Sequence, residues 1–340
     1  QPAQLSPASN VQFGEGGAGT FSDGKLTTGV NDPRVSHVFD TFVSHGAPAD
    51  IKWSHKPHIG TDVLRGVVKS IRGELLSLGA DIRFEHQLWA LHQEGGRLSS
   101  LTIMTECGPY DLPCDALVLA PGHSARDTFQ MLHDFGLPME RKSFAVGVRI
   151  EHLQEAVSRT QFGGFWDKLP VVTNGMSLRA RDGVNINGGF LVGVNPDDFG
   201  GDGPLAGVRF QEQWERAAFD RGAMFAPPDF DPVHPLFSAP AQLVGDFLAG
   251  RLSTGPRSVL PTYRPGVAWD TMDGLLPDYV LDTLREALPI FDRKLRGFAH
   301  PDAVLTGVET RSSSPVRILR DGTYQSPALP GLYPCGEGAG

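Results

Sequence analysis

The densest run of residues suited to ligand binding is glycine-rich and spans residues 10–29, NVQFGEGGAGTFSDGKLTTG. Glycine allows the backbone to approach a ligand closely at little steric cost, and Thr20, Ser22 and Lys25 add two hydroxyls and a cation. The run matches G-x-G-x-x-G and nearly matches the phosphate-binding G-x-x-x-x-G-K-[ST], but Leu26 replaces the metal-binding hydroxyl and no strand-to-helix pattern surrounds it. We therefore expect a loop that binds a bulky polar or anionic cofactor rather than a metal, with a solvated surface tail as the alternative.

A second candidate is the turn Gly122-His123-Ser124, which follows a continuously apolar stretch. It resembles the nucleophile elbow G-x-S-x-G of serine hydrolases, although Arg126 stands where the second glycine belongs. A serine hydrolase that uses Ser124 is therefore the main rival function. In the other interpretations, the strand end at Ala120 brings the backbone against a ligand while Ser124 caps the next helix, or Ser124 caps that helix with no ligand present.

Two arginines are candidates for holding an anionic substrate, because the planar guanidinium matches a carboxylate. Arg311 lies in the polar run of residues 310–315, TRSSSP, for which a simple turn is an equal alternative. Arg149 and Glu151 alternate with apolar residues, and this pattern favours a solvated strand face. No residue is predicted to act as the catalytic acid or base.

The histidines and cysteines lack the spacing of a metal site. Four histidines between residues 37 and 58 are scattered, and Cys107 and Cys114 lie seven residues apart. The chain has only three cysteines, which excludes a disulfide scaffold and favours a reducing compartment. We predict no metal.

The composition narrows the class of protein. The 340 residues include 30 Lys and Arg against 39 Asp and Glu, so the net charge of −9 argues against a nucleic-acid partner. No apolar stretch approaches the length of about 20 residues that a membrane span requires. A 40% hydrophobic content is enough for a sizeable core. We expect a cytoplasmic globular protein that acts on a small molecule.

Hydrophobic periodicity predicts the elements that position these residues. A helix that Thr61 or Asp62 caps and that Gly79 ends precedes a strand over residues 81–86, continued by 88–91. A Gly95-Gly96 turn then opens an antiparallel meander. A strand over 116–120, buried on both faces, leads into a helix that Ser124 caps and Gly136 ends. The remaining predicted elements are a strand over 143–152, helices over 207–222 and 279–296, a strand over 303–311 and a short strand before GEG near residue 336.

Six motifs occur in a fixed order across nearly the whole chain. They are FGEGGAGTFSDGKL, KPHIGTD, LAPGHSARD, FAVGVRIEH, GVETRSSSPVRI and GLYPCGEGAG. As a set they resemble the uncharacterised FAD-dependent dehydrogenases, relatives of the two-domain flavoproteins that have a glutathione-reductase-type FAD domain.

The resemblance implies an α/β fold: an FAD/NAD(P)-binding-like domain with an antiparallel β-meander, plus an inserted α+β substrate domain. The FAD domain would comprise residues 1–140 and 298–340, and the substrate domain residues 141–297. The implied function is a dehydrogenase that transfers a hydride between a small substrate and flavin N5, with NAD(P)H as a candidate electron donor. A non-catalytic flavin-binding module is a further alternative.

The resemblance also implies which residues contact FAD. They are Gly14, Glu15, Gly16, Gly17, Ala18, Gly19, Thr20, Ser22, Asp23, Gly24 and Lys25 in the first loop; Leu88 near the adenine end; Ala120, Pro121, Gly122, His123 and Ser124 at the strand-end turn; and Gly336, Glu337, Gly338, Ala339 and Gly340 at the last glycine turn.

The sequence departs from the family pattern in two places. The family carries a strand, a G-x-G-x-x-G turn and a helix ahead of this region, and it also carries a C-x-C-P-G-G stretch at a position where Leu169-Pro170 here continues directly into residues 171–176. We therefore expect the given residues to be part of a longer chain, with a missing start, a gap near Pro170 and a missing end.

Overall fold

A computed structural model of the chain describes residues 15, 26, 32–54, 57–162, 183–224 and 237–339. The α-helices in these residues are α1 (Arg34–Ser44), α2 (Thr61–Ser77), α3 (Arg126–Phe135), α4 (Gln154–Phe162), α5 (Ala206–Met224), α6 (Val244–Leu248) and α7 (Asp278–Lys294). The strands are β1 (Gln87–Glu94), β2 (Arg97–Thr105), β3 (Gly108–Pro113), β4 (Leu117–Leu119), β5 (Met139–Arg141), β6 (Phe144–Leu153), β7 (Asn185–Val194), β8 (Ala239–Leu243), β9 (Val267–Trp269), β10 (Val304–Glu309), β11 (Val316–Ile318) and β12 (Leu332–Pro334).

The strands of the described residues form four sheets of mixed α/β architecture. One is the antiparallel meander β1-β2-β3, and the largest has the order β7-β6-β10-β8-β9 with only its β8–β9 pair parallel. Two small sheets pair β11 with β5 and β12 with β4. The mixed α/β class and the meander therefore agree with the sequence prediction, whereas the proposed domain boundaries stay a prediction.

The five-stranded sheet carries the larger core on one face. Strand β6 alternates so that Phe144, Val146, Val148 and Ile150 point to this face, where they pack with residues of α5, α6 and α7. Strands β6 and β7 pair antiparallel along all ten residues, which fixes the register of the sheet. The sheet is thus a rigid platform whose start, near Phe144, lies beside the loop that follows β10, because the Ser312 hydroxyl bonds the backbone of Ala145.

A second core surrounds the parallel pair β4–β12. Leu119, Phe129 and Leu332 are buried there, together with Leu205 and Val208 from the start of α5. In this pair Leu117–Leu119 faces Leu332–Pro334, so the two strands run in the same direction and reach their carboxyl ends together. Loops at the carboxyl ends of parallel strands are where α/β folds bind ligands.

Several predictions from local glycine patterns are confirmed. Gly95 and Gly96 have φ of 56° and 77° in the β1–β2 turn, and Gly136 ends α3 in the left-handed conformation with φ 93°. Gly79, expected to end α2, has φ 87°. In each confirmed case a positive φ is encoded within a few residues of chain. The predicted cap of α2 is wrong, because the helix already begins at Thr61 and Gly60 occupies the cap position without a side-chain hydrogen bond.

Three further predictions are wrong. Residues 81–86 form no strand, and β1 begins only at Gln87. The strand predicted over 116–120 is three residues long and is not buried on both faces, because the Val118 side chain is 68% exposed. Glu151 does not lie on a solvated strand face but is buried, where its carboxylate accepts hydrogen bonds from the amide and hydroxyl of Thr262.

In the part of the chain that the structure describes, no helix combines the length and the apolar character needed to cross a membrane.

Candidate functional site

Two glycine turns meet at the carboxyl ends of β4 and β12. The amide of Cys335 donates to the carbonyl of Leu119 at 2.9 Å, which holds the strand ends side by side. Beyond them Gly122 and Gly336 adopt positive φ values of 69° and 67°. A Cβ atom placed on Gly338 would lie 3.3 Å from the carbonyl oxygen of Gly122. The structure therefore brings together two of the three glycine segments that the sequence singled out, although more than 200 residues of chain separate them.

The first glycine loop lies almost entirely outside the described residues. This applies to Gly14, Gly16, Gly17, Ala18, Gly19, Thr20, Ser22, Asp23, Gly24 and Lys25, and to Gly340 at the other end. Glu15 is described, and its carboxylate accepts a hydrogen bond of 2.8 Å from Arg72 on α2. Leu88 lies on β1 and packs against the second core.

The prediction that Ser124 caps α3 is wrong. The residue at the cap position is Ala125, with no side-chain cap hydrogen bond. Instead the Ser124 hydroxyl oxygen accepts a hydrogen bond of 2.9 Å from Nη1 of Arg311, and its oxygen lies 3.2 Å from Nδ1 of His123. The Ser124 side chain thus bonds Arg311, which lies 187 residues later in the chain, rather than the end of the helix.

A buried ion cluster lies next to this turn, and Glu215 on α5 is its centre. Arg126 donates to both carboxylate oxygens, with both distances 2.9 Å, and Arg311 donates to both at 2.9 and 2.8 Å. The hydroxyl of Thr310 adds a fifth hydrogen bond of 2.7 Å. These contacts tie the start of α3, helix α5 and the loop after β10 into one unit, which we call the Glu215 cluster.

The Glu215 cluster holds more positive than negative charge. Burial alone would raise the pKa of Glu215, but the hydrogen bonds from Arg311 and Arg126 outweigh that effect and lower it to about 2. Glu215 is therefore ionised at neutral pH and faces two guanidinium groups. Glu212, the other described carboxylate near Arg126, is half exposed and 3.6 Å away, so its contribution is screened by water.

His123 is a neutral side chain with a fixed tautomer. Its Nε2 lies 2.9 Å from the carbonyl oxygen of Ser313, which can only accept, so Nε2 carries the proton and Nδ1 accepts from Ser124. Burial lowers the pKa of His123 to about 4, and the charge of Arg311 acts in the same direction.

These contacts do not suit Ser124 for nucleophilic attack, although the serine and a histidine are in contact. A general base works best with a pKa near the operating pH, and the pKa of His123 lies well below neutrality. The outer nitrogen of His123 bonds a backbone carbonyl where a catalytic triad places a carboxylate. Arg311 donates to the oxygen that would attack.

Glu337 lies in the last glycine turn. One of its carboxylate oxygens accepts a hydrogen bond of 3.0 Å from the amide of Ser314. Burial raises the pKa of Glu337, and the hydrogen bond from Ser314 opposes that shift. The contact connects the β12 turn to the loop that carries Arg311, so both glycine turns and the Glu215 cluster adjoin one another.

The two arginines proposed for substrate binding have different surroundings. Arg311 belongs to the Glu215 cluster, next to the glycine turns. Arg149 lies further along β6, where it donates to Glu309 at 2.8 Å and to Asn187 at 2.7 Å. Among the described residues, no three His, Cys, Asp or Glu side chains are grouped so as to hold a metal ion.

Sequence reasoning missed Glu215 and Gln211. Gln211 is fully buried on α5, one turn before Glu215, and its amide donates to the carbonyl of Thr310 at 2.8 Å. Two polar residues at i and i+4 inside a helix that packs into a core are the signal that was available.

Comparison with known proteins found similarities over parts and over nearly the whole of the chain. A family model described as "FAD-dependent protein, C-terminal domain-like" matches residues 165–312. Among solved structures, Mycobacterium smegmatis Sdh1 in complex with UQ1 aligns at 16% identity over 90% of this chain and 50% of its own length. The TM-score of 0.36 is too low to equate the two folds, and this chain spans half the length of Sdh1.

A protein of Clostridium beijerinckii (strain ATCC 51743 / NCIMB 8052), described as "Uncharacterized protein", is 42% identical. The alignment covers 99% of this chain and 68% of the relative. It extends over 376 positions against the 340 residues of this chain, so the relative carries residues inside the aligned region that this chain lacks. The chain belongs to the same protein family as this Clostridium protein, and its residues 165–312 match a domain model described as FAD-dependent.

Proposed function

We propose that this chain is an FAD-dependent oxidoreductase whose cofactor is held by the glycine turns that follow β4 and β12. The single observation that carries the proposal is the close approach of these turns, since a Cβ atom placed on Gly338 would lie 3.3 Å from the Gly122 carbonyl oxygen. The match of residues 165–312 to an FAD-dependent domain model supports the identity of the cofactor. Transfer of a hydride between a small-molecule substrate and flavin N5 is the reaction that we assign.

The described residues fit a bound dinucleotide at this point. Around Gly122 there is open space where a side chain would point, and both Gly122 and Gly336 have backbone conformations that other residues adopt only with strain. The residues proposed to hold FAD are Gly122, His123, Ser124, Gly336, Glu337, Gly338 and Ala339, and the first glycine loop remains a further expectation. When bound, FAD supplies the redox chemistry, because its N5 accepts or gives a hydride.

The side chains next to the turns supply orientation and charge. Glu215 fixes the guanidinium of Arg311, whose Nη1 in turn fixes the Ser124 hydroxyl. Two cations against one buried carboxylate favour an anionic group beside them, either a cofactor phosphate or a substrate carboxylate. Arg311 is thus the residue we assign to an anionic substrate, with NAD(P)H as the proposed electron donor.

The first experiment is titration of the purified protein with FAD, followed by visible absorbance and flavin fluorescence. We expect saturable binding, and that Gly338→Val weakens it at least tenfold, because the added side chain would press against the Gly122 carbonyl and Phe129. Gly322→Val is the matched control, since open space surrounds Gly322. Urea unfolding of both variants checks that the fold persists.

Two results would contradict the proposal. A protein that binds no FAD refutes the cofactor assignment. A protein that binds FAD but whose flavin is not bleached by NADH, NADPH or a range of small donors under anaerobic conditions is the non-catalytic module, and this outcome refutes the oxidoreductase assignment alone.

A further inference from the structure

A cavity of about 210 Å³ lies at the carboxyl end of strand β6. Strand β6 enters it with His152 and Leu153, α4 contributes Val157, and Val259 lies opposite. The volume exceeds the 150 Å³ of an engineered cavity that binds benzene, so a single ring with one substituent fits.

This cavity is separate from the glycine turns. Ala145, at the start of β6, is bonded to Ser312 beside the Glu215 cluster, and His152 lies seven residues further along the strand. At a rise of about 3.3 Å per residue the two places are roughly 23 Å apart. A ligand here therefore lies well away from the glycine turns that the proposed function uses.

The interior of the cavity is largely apolar, with one polar ring at its base. His152 is buried, its Nε2 donates to the carbonyl of Phe298 at 2.7 Å, and burial lowers its pKa. The ring is therefore neutral at neutral pH. Its remaining nitrogen, Nδ1, accepts hydrogen bonds but does not donate them.

Two side chains at the mouth of the cavity can donate hydrogen bonds to a ligand. Arg296 is exposed there, and within the described part of the chain no carboxylate lies within ion-pair distance of it. His300 accepts the amide hydrogen of Asp302 at Nδ1, at 3.2 Å, so its Nε2 carries a proton that it can donate.

The carboxylates nearest the mouth are already occupied by protein donors. Asp292 accepts the amides of Gly297 and Ala299, both at 2.9 Å. Asp302 accepts the hydroxyl of Ser258 at 2.7 Å and lies 3.6 Å from Arg257. The mouth therefore presents one cation, Arg296, with no carboxylate within ion-pair distance among the described residues, and one N–H group, that of His300, whose charged neighbour is Asp302.

We propose that this cavity binds a small amphipathic carboxylate of about the size of benzoate, with its ring against Leu153, Val157 and Val259 and its carboxylate at Arg296 and His300. The inference does not depend on the proposed redox function, because it rests on a different end of the sheet.

The test uses the whole chain with its Leu and Val methyl groups labelled for NMR, and benzoate and its neutral analogue benzamide as probes. We expect benzoate to shift the Val157 and Val259 methyl signals saturably, with a Kd of about 1 mM or lower. Benzamide should bind at least about fivefold more weakly, because it lacks the charge that the guanidinium recognises.

Three variants locate the probe. Arg296→Gln should remove the preference for benzoate over benzamide, whereas Arg293→Gln, on the same segment but outside the cavity lining, should leave it unchanged. Ala156→Trp, at an exposed position of α4 that lines the cavity, should abolish the shifts by filling the space.

Two outcomes would overturn the proposal. One is the absence of a saturable shift with benzoate up to about 20 mM. The other is binding that neither Ala156→Trp nor Arg296→Gln changes, which would place the probe elsewhere on the protein.

Discussion

Replacement of Glu215 by glutamine keeps the size of the side chain but removes the charge that Arg126 and Arg311 share. The pKa of Glu215 in the folded protein is about 2, against an ordinary value of 4.5. A difference of this size corresponds to about 3 kcal/mol of stability at neutral pH, since each pKa unit is worth about 1.4 kcal/mol. The carboxylate is only 23% exposed, so little of this is lost to screening by water.

The sign of the pH dependence follows from the direction of the shift. Because the pKa is lower in the folded state, the stabilisation is complete above pH 4.5 and is lost as the pH falls from 4.5 towards 2. We therefore expect Glu215→Gln to be less stable than the wild type by about 3 kcal/mol at pH 7, and by only about 1 kcal/mol at pH 3.

Urea unfolding at several pH values, followed by tryptophan fluorescence, measures this difference. The matched control is Glu212→Gln, one turn earlier on α5, whose half-exposed carboxylate lies 3.6 Å from Arg126. It should change the free energy of unfolding by less than about 1 kcal/mol. A Glu215→Gln variant within about 1 kcal/mol of the wild type at pH 7, or a difference that does not shrink on acidification, would show that Arg126 and Arg311 do not stabilise the fold through the Glu215 charge.

Two further predictions follow from the structure. Gly222→Ala should lower the free energy of unfolding by about 2–3 kcal/mol, because the new methyl group would overlap the backbone carbonyl of Ser238. Gly73→Ala, in open space on α2, should instead raise the free energy of unfolding by about 0.5–1 kcal/mol. Urea unfolding measures both variants, and equal effects would contradict the packing around Gly222. A fluorophosphonate probe should leave Ser124 unlabelled at neutral pH, because His123 is too weak a base to activate the hydroxyl. Labelling of Ser124 detected by mass spectrometry would support the serine hydrolase function instead.

Features encoded over short distances could be predicted from the sequence. The Gly95-Gly96 turn and the helix end at Gly136 depend on positive φ values that glycine adopts cheaply, and both are confirmed. The apolar alternation of β6 likewise gave its core-facing side chains correctly.

Features that depend on distant partners could not be predicted in the same way. Glu215 lies 89 residues from Arg126 and 96 from Arg311, so its local spacing from Gln211 indicates a buried polar pair but not the partners of that pair. Glu151 alternates with apolar residues as a solvated position would, yet Thr262, 111 residues away, supplies the donors that allow its burial. The candidate site was thus predicted as glycine turns, and the charges that organise it emerge only from the fold.

The pairing of β4 with β12 joins segments more than 200 residues apart in the chain. At a synthesis rate of about 5–20 residues per second, roughly 10–40 s pass between the synthesis of Leu119 and the synthesis of its neighbouring strand β12. Throughout that interval the nascent chain exposes an unpaired parallel edge and an open apolar wall beside Phe129. Any ligand that binds at the β4 and β12 turns can consequently be captured only after β12 has been synthesised.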